Sequence, residues 1–412
     1  MTQFIADIAT TMLARLLAMM GPFAVSVITA RILGPEERGR YFLILAIAQI
    51  GSQIANLGLQ SSNTYLVANR HELAGRLMMN SFLVSFIVAP IVTLPIALAF
   101  GWPDLAGLSS LVGPALGPIS LVAVLLSPIF LFAVLVNNLA LGLGRVRLFN
   151  GLTIAYSLVA LVTTLSFAPF GTLTIFLLSA AISVALPMIY GAYCILGGQP
   201  PYPRFDFQLF ESGIFFASRV YLATMFGFIM ARVGAFALHH QGSIEEVGQF
   251  SVASQLTDGL TMLPSTIGLL LFPEFLRAES DQRWSTLWRT FWGVAVIMTI
   301  VLGSVAALAP WIIQVLFGDS FARAAVLTQA LLPSVLIVSL VTVVSQYLSA
   351  EGFPRIQVFA WLIGLIVQTG LSYWLAPKWA GVGVSLSIAL SYALVLALLL
   401  YEVLSRKRVG AC

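Results

Sequence analysis

Twelve apolar stretches, each long enough to cross a bilayer, govern what this chain can become. They lie near 8–32, 41–67, 77–100, 113–141, 148–168, 173–196, 209–238, 247–274, 287–317, 325–349, 355–376 and 380–404. A hydrocarbon core about 30 Å thick is crossed by roughly 20 apolar residues in helical form. In lipid every backbone N–H and C=O must find a partner within the chain. The stretches do not alternate at period two, which argues against barrel strands. Only 9% of the residues are charged, too few to clothe a soluble surface of this size. The expectation is an all-α polytopic membrane protein of about twelve transmembrane helices.

Charges, glycines and prolines mark the breaks: Arg70-His71-Glu72, Trp102-Pro103-Asp104, Gly144-Arg145-Val146-Arg147, Pro169-Phe170-Gly171, Gly318-Asp319 and Gly352-Phe353-Pro354-Arg355. If both termini are cytoplasmic, that side carries Arg70, Arg76, Arg145, Arg147, Arg204, Arg277, Arg283, Arg289, Arg355, Arg406, Lys407 and Arg408. The other side carries Arg31, Arg38, Arg40, Arg323 and Lys378. Basic residues concentrate on cytoplasmic loops, so this orientation is the expected one. The formal charge of +4 is too small and scattered for nucleic acid. Asp7 and Arg15 lie in the first stretch, which reads as a retained span and not a cleaved signal. Two cysteines, Cys194 and Cys412, make no disulfide framework. Trp284, Trp288 and Trp292 open the ninth stretch as an interfacial anchor would.

The chain repeats itself. Glu36-Glu37-x-Gly39-x-Tyr41 returns as Glu245-Glu246-x-Gly248-x-Phe250 at an offset of 209, and Gly144-Arg145-Val146-Arg147 matches Gly352-Phe353-Pro354-Arg355 at an offset of 208. Six helices duplicated in tandem would share an orientation and pair about an axis along the membrane normal. The expected organisation is therefore a six-helix lobe over 1–198, a cytoplasmic linker over 199–208 and a second six-helix lobe over 209–412.

No motif of enzyme chemistry and no metal-spaced Cys/His cluster is present. Adjacent His239 and His240 point about 100° apart on a helix and chelate poorly. The residues that stand out are polar ones inside apolar stretches. Gln49, Gln53, Asn56, Gln60 and Asn63 follow steps of four and three, which put them on one face of a continuous helix. Such a stripe lines a wet path or bonds a neighbouring helix. Arg15, Arg219, Arg232 and Asp258 are charges within stretches, each costing roughly 2.5–3.5 kcal/mol at a helix centre on insertion scales. Guanidinium is a planar fork that fits phosphate oxygens, so an anionic substrate is one reading. An Arg219–Asp258 structural ion pair is the other. Arg232 lies about 140° round the helix from Arg219 and could instead snorkel outward. Asp258 could also take a coupling proton or Na+. Proline at 22, 264, 273, 310 and 333 invites kinks.

The stretch Ala30-Arg31-Ile32-Leu33-Gly34-Pro35-Glu36-Glu37-Arg38-Gly39-Arg40-Tyr41-Phe42, its partner from Glu245 to Leu256, and twelve spans in two sixes resemble the Wzx-type oligosaccharide flippases of the multidrug/oligosaccharidyl-lipid/polysaccharide exporter superfamily. Many such proteins end the seventh span in Asn-aromatic-Arg-x-Asp. Here the run is Met230-Ala231-Arg232-Val233-Gly234, which keeps the arginine and leaves it without a local acid. The resemblance implies a bacterial inner-membrane carrier, not an enzyme, without a resident cofactor. It would turn a polyprenyl-pyrophosphate-linked oligosaccharide, of the O-antigen or exopolysaccharide kind, from the cytoplasmic to the outer leaflet. Membrane lipids and the pathway's glycan polymerase and glycosyltransferases are its implied partners. Arg15, Arg219 and Arg232 would hold the phosphates, and the amides would meet the sugar. A multidrug-type cation antiporter and a membrane glycan polymerase or ligase remain as alternatives.

Overall fold

A computed structural model describes residues 2–104, 107, 112–197, 202, 204–241, 243–277 and 279–410, with backbone alone for 2–19, 216, 269–270, 280–281 and 407–410. Twelve α-helices and no strand occur among the described residues: α1 Thr2–Ala55, α2 Leu59–Asn69, α3 Ala74–Leu83, α4 Ala89–Gly101, α5 Val122–Gly142, α6 Val146–Phe167, α7 Leu173–Leu196, α8 Phe207–His240, α9 Ile244–Arg277, α10 Ser280–Phe317, α11 Ala322–Ala350 and α12 Arg355–Gly410. Nine helices among the described residues are long and apolar enough to cross a membrane, and the bent pair Met20–Ala55 with Leu59–Asn69 makes a tenth. One of the nine, Arg355–Arg406, has 52 residues, about twice what one crossing needs. The chain is an all-α polytopic membrane protein.

The two longest helices each contain a turn where the sequence places a boundary. In α1 Gly34 has φ 68° and ψ 176°, a region essentially closed to residues with a Cβ, and Pro35 restarts the helix. In α12 the turn falls at Ala380, φ 47° and ψ −131°. Its counterpart in the first half is Gly171, φ 57°, between α6 and α7. The repeated landmarks Gly144 and Gly352 also share positive φ, 70° and 94°. Ala380 thus occupies a conformation that glycine adopts at less cost. Ala380→Gly is expected to raise the melting temperature of the solubilised protein, by the equivalent of about 1 kcal/mol. A lower melting temperature would show that the alanine methyl contributes more by packing than it costs in strain.

The chain divides into two compact units, Met1–Tyr221 and Leu222–Cys412. In the first, α5 is the hub, packing on α1, α2, α4, α6 and α7. Its Phe132, Val136, Leu139 and Ala140 form one core with Val67, Leu77, Met78, Leu152 and Met188. Its Leu131 and Leu135 meet Ala55, Leu59 and Val84 in another. The end of the linker and the first turns of α8 belong to this unit for physical reasons. Buried Asn80 clamps the Asp206 backbone from both sides, donating to its carbonyl at 2.8 Å and accepting its N–H at 2.8 Å. Arg76 pairs with the Asp206 carboxylate at 3.4 Å and lies over the Tyr202 ring. Leu209 packs on the first core, and Tyr221 donates to the Ile54 carbonyl at 2.6 Å. Asn80→Ala removes both backbone bonds and should cost about 1–2 kcal/mol, read as an earlier thermal transition. An unchanged transition would show that the clamp does not hold the linker.

In the second unit α11 is the hub, against α9, α10 and α12. The two hubs, α5 and α11, cover the fourth and the tenth of the apolar stretches. The repeated Glu-Glu motif has a structural task here. Glu246 Oε1 accepts the Gly381 N–H at 3.0 Å, beside the Ala380 turn, and meets Arg323 Nε at 3.4 Å. Gln249 donates to the Ser320 carbonyl at 2.7 Å and accepts the Ala324 N–H at 3.0 Å, satisfying backbone groups at the start of α11. Arg38, expected in a charged turn, is instead buried, donating to Thr29 Oγ1 at 2.6 Å and Ser26 Oγ at 2.9 Å. His239 is also buried, and the His240 ring packs on Tyr373 at 5.1 Å. The three tryptophans of α10 form an edge-to-face ladder with Phe291, its steps 5.4–5.7 Å.

Candidate functional site

The second unit contains a cavity of about 220 Å³ between α8, α9, α11 and α12. One face of α9 supplies Phe250, Ser254, Thr257, Asp258, Thr261 and Ser265, residues spaced to fall on a single stripe of a 3.6-residue helix. From α11 come Ser334 and Thr342, and from α12 Tyr392. Pro264 also lines it, and its ring leaves one carbonyl of the preceding turn without its helical donor.

Five of the lining hydroxyls are already committed as donors. Thr257 donates to the Ser254 carbonyl at 3.0 Å, Thr261 to that of Asp258 at 2.7 Å, Ser265 to that of Thr261 at 2.8 Å, Ser334 to that of Leu331 at 2.7 Å and Thr342 to that of Val338 at 2.9 Å. A hydroxyl keeps two lone pairs after donating its proton. The wall therefore offers acceptors, which suit a ligand rich in O–H groups.

Asp258 is the acid of this cavity and pairs with Arg232 of α8, Oδ2 to Nη1, at 3.3 Å. The Asp258 side chain is 50% exposed and that of Arg232 only 18%. The guanidinium also stands over the Phe228 ring, 5.6 Å from its centroid. No acid follows Arg232 on its own helix; its partner lies one helix away and is the same aspartate for which the sequence also allows a pair with Arg219. Arg219 itself is an exposed residue of the first unit. Arg15 lies among the residues described by backbone alone.

The stripe of five amides is not one helical face. α1 ends at Ala55, Leu57 and Gly58 take positive φ of 50° and 83°, and α2 leaves at an angle of 50°. Gln49 and Gln53 sit on one segment and Gln60 and Asn63 on the next. Asn56, at the break, is buried and accepts the Gln60 N–H at 3.1 Å through Oδ1. Asn63 is buried and donates to Ser81 Oγ at 2.8 Å. Two of the five amides therefore hold the helices together. Gln49 and Gln53 are half-buried and Gln60 is exposed. The hydroxyl stripe of α9 was missed from the sequence, although its spacing obeys the same rule. At the repeat offset of 209, Asp258 stands where Gln49 stands in the first half.

A family model described as polysaccharide biosynthesis protein matches residues 4–279. The chain belongs to this family. The match takes in every residue singled out above on α1, α2, α8 and α9. A sequence comparison with curated proteins found no match. Among solved structures, the chain is similar to "Lipid II flippase MurJ, inward closed conformation", at 12% identity and TM-score 0.70, over 97% of this chain and 87% of that one. It is similar to an inward-facing multidrug resistance MATE family transporter of the MOP superfamily, at 15% identity and TM-score 0.70, over 96% and 95% of the two chains. The eukaryotic MATE transporter AtDTX14 matches at 14% identity and TM-score 0.67, over 98% and 95%. At these identities the likeness is one of fold. The chain thus shares the fold of these structures.

Proposed function

We propose that this protein is a Wzx-type flippase. It moves a polyprenyl-(pyro)phosphate-linked oligosaccharide from the cytoplasmic to the outer leaflet of the bacterial inner membrane by alternating access. Both termini would lie in the cytoplasm. The observation that carries this reading is Arg232: a guanidinium among membrane helices, beside a cavity whose walls accept hydrogen bonds. A sugar head crossing hydrocarbon bare would lose each hydroxyl's hydrogen bonds at a cost of kilocalories apiece. Walls of hydroxyl oxygens replace them. In this reading Arg15, Arg219 and Arg232 hold the phosphates, Gln49, Gln53 and Gln60 meet sugar hydroxyls, and the polyprenyl tail stays in the bilayer. Asp258 is the group for a coupling proton or Na+. The protein does no covalent chemistry and works with the polymerase and glycosyltransferases of its pathway.

A cation-coupled antiporter of small molecules is the second reading. The equal TM-score to a MATE transporter favours it. It would need an acidic cavity, whereas Asp258 here is offset by Arg232. Replacing Arg219 or Arg15 by Gln in the native cell separates the two. The flippase reading expects surface glycan to be lost at unchanged protein level, with drug tolerance unaltered. Normal glycan with lost drug tolerance would overturn it.

A further inference from the structure

We infer that Asp258 is a resident stand-in for the ligand's phosphate, occupying Arg232 when the site is empty and yielding it to a diphosphate when the site is filled. This rests on the reading of Arg232 as a phosphate-binding group and goes beyond it in assigning the aspartate.

The contact has the form of an exchangeable pair. It is a single oxygen on a single nitrogen at 3.3 Å, longer than the roughly 2.7–2.9 Å of a strong charge-assisted bond. The acid is the exposed member and faces the cavity, while the guanidinium is largely covered. Arg232 does not depend on the carboxylate for its placement, since the Phe228 ring supports its cationic plane. Nor does α9 depend on it: Asp258 meets its neighbour Thr261 through the backbone carbonyl. A diphosphate carries more charge and more acceptor oxygens than one carboxylate, and an arginine fork takes two of them at once.

The surroundings point the same way. The α11 side chains lining the cavity, Ser334, Val335, Val338 and Thr342 among them, carry no charge, and α12 contributes Tyr392. The five hydroxyls that already donate elsewhere turn lone pairs toward an anion, so the side where Asp258 meets Arg232 is where phosphate can settle. The exchange also gives the aspartate a purpose. A carboxylate that reclaims Arg232 helps expel the head group at the end of a cycle. Without it the ligand binds more tightly and leaves more slowly.

The test uses the purified full-length protein in detergent, titrated with inorganic pyrophosphate and separately with farnesyl diphosphate. Asp258→Asn should tighten binding of the diphosphate about fivefold, the equivalent of about 1 kcal/mol for a half-exposed pair. The same variant should slow glycan translocation. Arg232→Gln should weaken binding ten- to hundredfold, and adding Asp258→Asn to it should not restore it. If Asp258→Asn binds no more tightly while Arg232→Gln loses binding, the exchange is overturned and the phosphate site stands. If Arg232→Gln binds like the wild type, the phosphate reading itself falls. Tighter binding of farnesyl diphosphate than of pyrophosphate supports a lipid head group, and equal affinity overturns that source. The wild-type protein gives an independent readout, should the variant fail to fold. Pyrophosphate should increase carbodiimide labelling of Asp258, seen by mass spectrometry, and unchanged or reduced labelling overturns the proposal.

Discussion

Arg232→Gln stops glycan export while the protein reaches the membrane at its normal level. Glutamine keeps a polar tip of similar reach and removes the charge. What is lost is a charge-assisted contact to phosphate, worth about 1.5–3 kcal/mol, or a ten- to hundredfold drop in flux. Folding should survive, because the aspartate left behind is half exposed and remains hydrated in the cavity. Arg232→Lys should recover only part of the activity: a point charge on a flexible stem can neither fork onto two oxygens nor lie flat on Phe228. Surface glycan measured against membrane-fraction protein reads both effects. Full export by Arg232→Gln would remove the guanidinium from the mechanism.

Gly142→Leu should leave almost no assembled protein. Gly142 closes α5 where α2 passes, and a Cβ there would lie 2.7 Å from the Thr64 carbonyl oxygen and 2.9 Å from the Thr64 Cα. It would also overlap the Val67 side chain. Two of these neighbours are backbone atoms, which cannot swing aside as the end of a long side chain can. Overpacking in a core typically costs about 1–3 kcal/mol, and here the helices themselves must separate. α5 is the hub of the first unit, so the damage spreads to α1, α4, α6 and α7. Gly142→Ala should show the same defect in milder form, as a lower melting temperature of the solubilised protein. A wild-type transition for Gly142→Leu would mean that α2 and α5 are not in close contact.

The helices were legible because lipid leaves a chain few options: length and apolarity alone mark a span. Pro169-Phe170-Gly171 marked a real turn, with Gly171 left-handed as its residue type allows. The charged segment after Gly34 was less transparent. One glycine turns the chain and the helix resumes at once, so charge density overstated the length of the break. The amide stripe failed at Leu57-Gly58. Periodicity assumes an unbroken helix, and Gly58 was the available warning. Which arginine meets Asp258 was left open for a different reason. Depth along a helix gives a residue's height but not its azimuth, and Arg219 and Arg232 share a helix on different faces. The hydroxyl stripe of α9 was invisible because serine and threonine are ordinary in membrane helices, where they bond their own carbonyls. That same bonding turns the stripe into a wall of acceptors.

The most direct measurement is of leaflet sidedness. The purified protein is placed in sealed vesicles that carry a polyprenyl-pyrophosphate-linked oligosaccharide on one leaflet, and a membrane-impermeant glycosidase or lectin reports the fraction exposed. The account predicts that lipid-linked sugar reaches the opposite leaflet with the wild-type protein and not with Arg232→Gln. Retention of the sugar on its starting leaflet by folded wild-type protein, or equal transfer by the variant, would contradict it.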